Sequence, residues 1–163
     1  MVLNVRYATI NENDILNGEG VCVSLWLQGC PHHCPGCHNP QQWSFDGGIV
    51  EPADQVLEKI YTAIEANGIQ RNFSILGGEP MCYQNMVLTY VISHYVKEKY
   101  PNIKIFLWTG YTLEELQKMY PFDTLLESID VLIEGRYLQE LRDITLKWRG
   151  SSNQRVLYRG IDF

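Results

Sequence analysis

Apolar, β-branched runs at residues 21–27, 73–76, 103–108 and 131–133 each give way to glycine or a turn, the pattern of short buried strands. Helical spacing fills the gaps between them. Val56, Leu57, Ile60, Ala63 and Ile64 recur at i, i+3/i+4 and i+7, on one face of a helix that opens near residues 52–54 and stops at Asn67-Gly68. A second helix is predicted from residue 83 to 100 through Val87, Tyr90, Val91 and Tyr95, ending before Pro101. Thr112 with Glu115 makes a capping box for a short third helix carrying Leu113 and Leu116. A further apolar segment, 154–158, adds a last strand. This alternation predicts an α/β fold: a parallel sheet with helices packed outside, in one domain spanning residues 1–163. Gly29-Cys30, Gly77-Gly78, Thr109-Gly110 and Glu134-Gly135 all follow strands, and the carboxyl ends of parallel strands are where such folds gather ligands.

Length and charge narrow the classes. With 163 residues the chain can bury a core but falls short of the ~250 that a closed (β/α)8 barrel needs. A net charge of −6 leaves no global basic surface for nucleic acid. No stretch approaches the ~20 apolar residues of a membrane span, and the N-terminal residues lack the pattern of a secretory signal. A soluble, cytoplasmic protein is expected, in which disulfides are rare and clustered cysteines read as metal-binding or catalytic.

Three of the five cysteines, Cys30, Cys34 and Cys37, share one Pro/Gly-bent loop. Three thiolates can converge on a soft metal centre. On a cubane cluster they would leave one of four irons open, as catalytic zinc keeps a vacant position beside three protein ligands. A structural Cys3His zinc site using His32, His33 or His38 needs the same ligand chemistry, so the loop alone leaves two readings open: a functional cluster, or a zinc-stapled binding module without catalysis. A chain with enough core to fold unaided favours the functional centre.

Cys-x3-Cys-x2-Cys after one strand and Gly77-Gly78-Glu79-Pro80 after another resemble the radical S-adenosylmethionine superfamily. Residues 21–43 (VCVSLWLQGCPHHCPGCHNPQQW), 76–85 (LGGEPMCYQN), 108–116 (WTGYTLEEL), 130–137 (DVLIEGRY) and 148–156 (WRGSSNQRV) are similar, in order, to blocks of the activating proteins of anaerobic ribonucleoside-triphosphate reductases. The resemblance implies a partial, open (β/α) barrel with a mainly parallel sheet. It implies a [4Fe-4S] cluster on Cys30, Cys34 and Cys37 whose open iron binds S-adenosylmethionine. Gly77, Gly78, Glu79 and Pro80 would lie beside the methionine amino group, Gly36, Cys37 and His38 near the adenine, and Glu134, Gly135 and Arg136 near the ribose and carboxylate. At positions 134 and 136 that family more often carries Asp and Lys. The implied chemistry is reductive cleavage to a 5′-deoxyadenosyl radical, which takes a hydrogen from a glycine of the reductase large subunit. A flavodoxin-like electron donor follows, and no catalytic residue is implied beyond the cluster and cofactor.

The remaining candidates read as structural. Cys22 and Cys82 suit small buried hydrophobes. His32 and His33 are expected on the exposed loop, and His94 as a partly buried packing residue. The basic stretch 136–159, with Arg142, Arg149 and Trp148, is either a solvated face or a docking surface anchored by Trp148.

Overall fold

The computed structural model describes residues 2–119 and 121–163. Seven strands, β1 (Asn4–Asp14), β2 (Val21–Leu27), β3 (Ile49–Pro52), β4 (Arg71–Gly77), β5 (Ile105–Thr109), β6 (Val131–Glu134) and β7 (Arg155–Tyr158), form one sheet in the order β3-β1-β2-β4-β5-β6-β7. Between them lie α1 (Ala53–Glu65), α2 (Met86–Lys99), α3 (Leu113–Met119) and the single turn α4 (Phe122–Leu125). No helix among the described residues is long and apolar enough to cross a membrane.

This corrects the expected open (β/α) barrel with a mainly parallel sheet. The sheet is mixed: β2, β4, β5 and β6 run parallel, whereas β1 pairs antiparallel with both β2 and β3, and β7 pairs antiparallel with β6. Apart from the antiparallel β7, which the apolar segment 154–158 does predict as a strand, the difference comes from two strands that apolar runs do not reveal. β1 reads NVRYATINEND, with few buried positions, and β3 has four residues, none fully buried. Main-chain pairing, not side-chain burial, makes them strands, and a hairpin return is necessarily antiparallel.

Strand alternation sends side chains to two different environments. Val23, Leu25, Leu27, Phe73, Ile75, Ile105, Leu107 and Leu132 pack beneath α1 and α2 in the main core. Ser24, Trp26, Ser74, Leu76, Phe106, Trp108 and Ile133 occupy the alternate positions on the other face, where Trp148 packs against Phe106.

The predicted faces hold for α1, which buries Val56, Leu57, Ile60, Ala63 and Ile64 and stops where Asn67 turns to φ 58°. In α2 the packed residues are Leu88, Ile92 and Val96, while Val87 and Tyr95 are each 48% exposed. That helix is apolar nearly all round, so periodicity alone does not select its inner face. The capping box of α3 forms as expected: the Thr112 N–H donates to Glu115 Oε2 at 2.8 Å and the Glu115 N–H donates to Thr112 Oγ1 at 3.2 Å.

Candidate metal and cofactor site

The chain leaves β2 through Gly29 at φ 98° and enters the cysteine loop, held by Gly29 N–H on the Gln42 carbonyl and Cys30 N–H on the Trp43 carbonyl. Cys34-Pro35-Gly36-Cys37 is a tight turn closed by Cys37 N–H on the Cys34 carbonyl at 3.0 Å. Proline at its second position and Gly36 at φ 78° in its third are what a type II turn requires.

Cys30, Cys34 and Cys37 are half-buried, free, and line one cavity of about 480 Å³. Burial pushes the Cys30 thiol up to about 11, partly offset by the backbone of His32 and His33. Burial also raises Cys34, opposed chiefly by the Tyr137 N–H. The Asn39 N–H donates to Cys37 Sγ at 3.4 Å. A main-chain donor thus bonds Cys37, and main-chain groups partly offset burial at Cys30 and Cys34, an arrangement that stabilises thiolates once a cation supplies the compensating charge. These residues fit an iron–sulfur cluster. Among the described residues no three His, Cys, Asp or Glu side chains gather closely enough for a single metal ion.

The second wall is the turn after β4. A side chain on Gly77 would stand 2.7 Å from the Leu27 backbone, and one on Gly78 would stand 2.3 Å from the Gly29 carbonyl. The glycines let this turn lie directly against the end of β2. The Gly78 and Glu79 N–H groups then donate to the Leu27 and Gly29 carbonyls, each at 2.8 Å. The Glu79 carboxylate, 1% exposed, accepts from Met81 N–H at 2.8 Å, Thr109 Oγ1 at 2.6 Å and Gly110 N–H at 2.6 Å, and pairs with His32 Nε2 at 2.8 Å. His32 is thus a nearly buried link between the two walls, against the expected exposed position; His33 is exposed as expected and stacks on Trp43.

Of the residues singled out from sequence, Cys30, Cys34, Cys37, His38, Gly77, Gly78, Glu79 and Gly135 line this cavity. Gly36, Pro80, Glu134 and Arg136 do not. Gly36 sets the turn, and the Pro80 carbonyl accepts the Thr89 hydroxyl. Glu134 is bound by Arg155 and by the Leu113 N–H. Arg136 pairs with Glu115.

Sequence reading missed the apolar floor, Trp26, Leu76 and Trp108, whose signal is their parity at the carboxyl ends of three adjacent strands. It also missed Asn85, 2% exposed, whose Nδ2 reaches the carbonyls of Gln28, Gly29 and Glu79. The block 148–156 folds over the mouth: Gln154 Nε2 donates to the Gly135 carbonyl at 2.9 Å and Asn153 Nδ2 to the Arg136 carbonyl at 2.8 Å. Trp148 lies inward against Phe106. Cys22 and Cys82 are buried as expected.

The family described as 4Fe-4S single cluster domain matches residues 16–157. A protein of Haemophilus influenzae named anaerobic ribonucleoside-triphosphate reductase-activating protein is 38% identical over 157 residues, covering 95% of this chain and 98% of that one. The chain belongs to this family of activating proteins. Relatives of the same name include one from Vibrio cholerae, 39% identical over 90% of this chain and 92% of its own, and one from phage T4, 34% identical over 93% of each. The match to the reductase-activating family spans the cysteine loop, the Gly77-Gly78-Glu79 turn and the block that closes over Gly135.

Proposed function

We propose that the chain activates an anaerobic ribonucleoside-triphosphate reductase by reductive cleavage of S-adenosylmethionine at a [4Fe-4S] cluster, the resulting 5′-deoxyadenosyl radical taking a hydrogen atom from a reductase glycine. The observation that carries this reading is that Cys30, Cys34, Cys37 and the Gly77-Gly78-Glu79 turn line one cavity. Cys30, Cys34 and Cys37 hold the cluster. Gly77, Gly78 and Glu79 form the wall for the methionine amino group, and Glu79 keeps that wall rigid through its bonds to β5. His38, beside Tyr137, and the bare backbone of Gly135 flank the nucleoside. Trp26, Leu76 and Trp108 keep water from the reacting carbon. A flavodoxin-like protein supplies the electron.

Anaerobic reconstitution followed by incubation with reductant, S-adenosylmethionine and the reductase tests this. We expect about four irons per chain, lost on Cys30→Ser, Cys34→Ser or Cys37→Ser and kept on Cys22→Ser, with a glycyl radical signal in EPR. A colourless protein retaining one zinc ion overturns the reading, as does an intact, reducible cluster that gives no radical.

A further inference from the structure

Two segments outside the strands carry exposed aliphatic side chains at, or next in sequence to, residues that line the cavity. In the β1–β2 connection the Asp14 carboxylate accepts the N–H groups of Leu16 and Asn17 at 2.9 and 3.0 Å, Asn17 Nδ2 at 2.9 Å and Ser24 Oγ at 2.8 Å. Ile15 and Leu16, 71% and 77% exposed, are therefore presented on a fixed turn, and the next residue, Asn17, lines the cavity. Beside it residues 143–150 form a flap, closed at its base by the Arg142–Ser151 bridge and by Asp143 N–H on the Gly150 carbonyl. Its Ile144 is 79% exposed beside the cavity. Trp148 locks the segments together, donating from Nε1 to the Gly18 carbonyl at 3.2 Å.

Three exposed aliphatics on two fixed segments joined by Trp148 suit a protein-binding surface better than the same residues scattered singly. The charge is also local. In a chain of net charge −6, the flap and its base carry Arg142, Lys147 and Arg149 against Asp143. Arg142 has no side-chain partner among the described residues.

We propose that this rim, Ile15, Leu16 and Ile144 beside Arg142, docks the reductase segment that carries the target glycine, an apolar stretch flanked by carboxylates. The inference rests on the function proposed above. A hydrogen atom transfers only between groups in contact, so the glycine enters the cavity and its flanking residues lie across the mouth. The flap attracts an acidic segment, whereas the β1–β2 connection, which carries Asp14 and Glu19 and no basic residue, offers it apolar contact only.

The test is binding of purified reductase to the reconstituted protein, measured anaerobically by surface plasmon resonance beside reductase-free cleavage of S-adenosylmethionine. The double variant Ile15→Glu/Leu16→Glu and the single variant Ile144→Glu are each expected to weaken reductase binding about ten-fold or more. Ile161→Glu, at a position 83% exposed after β7, the edge strand far from β1, is expected to change nothing. Arg142→Glu is expected to reduce the salt dependence of binding. The double variant keeps its reductase-free cleavage rate. Wild-type affinity in the rim variants, or an equal loss in Ile161→Glu, overturns the docking assignment. A wild-type protein that binds reductase through this rim yet never cleaves S-adenosylmethionine overturns the functional reading instead.

Discussion

Arg155 clamps Glu134 from β7, with Nε on Oε1 at 2.8 Å and a terminal nitrogen on Oε2 at 2.9 Å, while the Leu113 N–H donates to Oε2 at 2.6 Å. One carboxylate thereby ties β6 to β7 and to the start of α3; it is 1% exposed and is not among the residues that line the cavity.

Removing the clamp leaves Glu134 buried with a single donor. Breaking a fully buried pair costs about 3–5 kcal/mol. Because the Arg155 side chain is 45% exposed, we expect a smaller loss, about 2 kcal/mol, for Arg155→Met in chemical denaturation. Glu134→Gln should lower the melting temperature and leave KM for S-adenosylmethionine unchanged. A raised KM at unaltered stability would return Glu134 to the ribose.

Asp14 sets an acid limit on the loop that presents Leu16. Burial raises its pKa, but the Asn17 side chain, the Leu16 N–H, Ser24 and the Asn17 N–H together hold it below its ordinary 3.8. A depressed native pKa contributes stability that is complete above the unfolded value and disappears as pH falls through the native one. Wild type should therefore lose stability on acidification below pH 3.8 more steeply than Asp14→Asn, which starts lower at neutral pH. Parallel acid-denaturation curves for the two proteins would contradict this.

Asn85 joins the two walls of the site from behind. Its Nδ2 reaches the carbonyls of Gln28 and Gly29 at 3.3 and 3.4 Å and of Glu79 at 3.0 Å. Asn85→Ala leaves these acceptors without that donor, at a cost of about 1–3 kcal/mol. Iron retained through gel filtration after reconstitution should fall with the melting temperature. A variant that keeps both would show that the walls hold their spacing without Asn85.

What the sequence conveys about this molecule depends on whether side chains or backbone do the forming. The buried runs of β2, β4, β5 and β6 and the inner face of α1 are legible because burial dictates apolar residues there. β1 and β3 escape notice because ladder bonds hold them with little burial, and with them the antiparallel flank is lost. At the site, cysteine spacing and the glycine pair stand out. Glu134 shows the limit: its clamp is not legible because only the β6–β7 register brings Arg155 opposite it.

Gly78 separates backbone fit from ligand fit at the glycine pair. A Cβ there meets the Gly29 carbonyl oxygen at 2.3 Å and its carbon at 2.9 Å, main-chain atoms that cannot swing aside. At Gly150 the nearest atoms belong to the Tyr137 ring, at 3.0 and 3.2 Å, and a side chain can shift by that much. Gly78→Ala must therefore push the turn away from β2, stretching the 2.8 Å bond from Glu79 N–H to the Gly29 carbonyl and displacing Cys30 next to it. Overpacking of this kind costs about 1–3 kcal/mol. We expect Gly78→Ala to lower both stability and reconstituted iron content, with Gly150→Ala close to wild type in both. Iron content unchanged in Gly78→Ala, with only S-adenosylmethionine binding lost, would mean that the glycine is required by the ligand and not by the neighbouring strand.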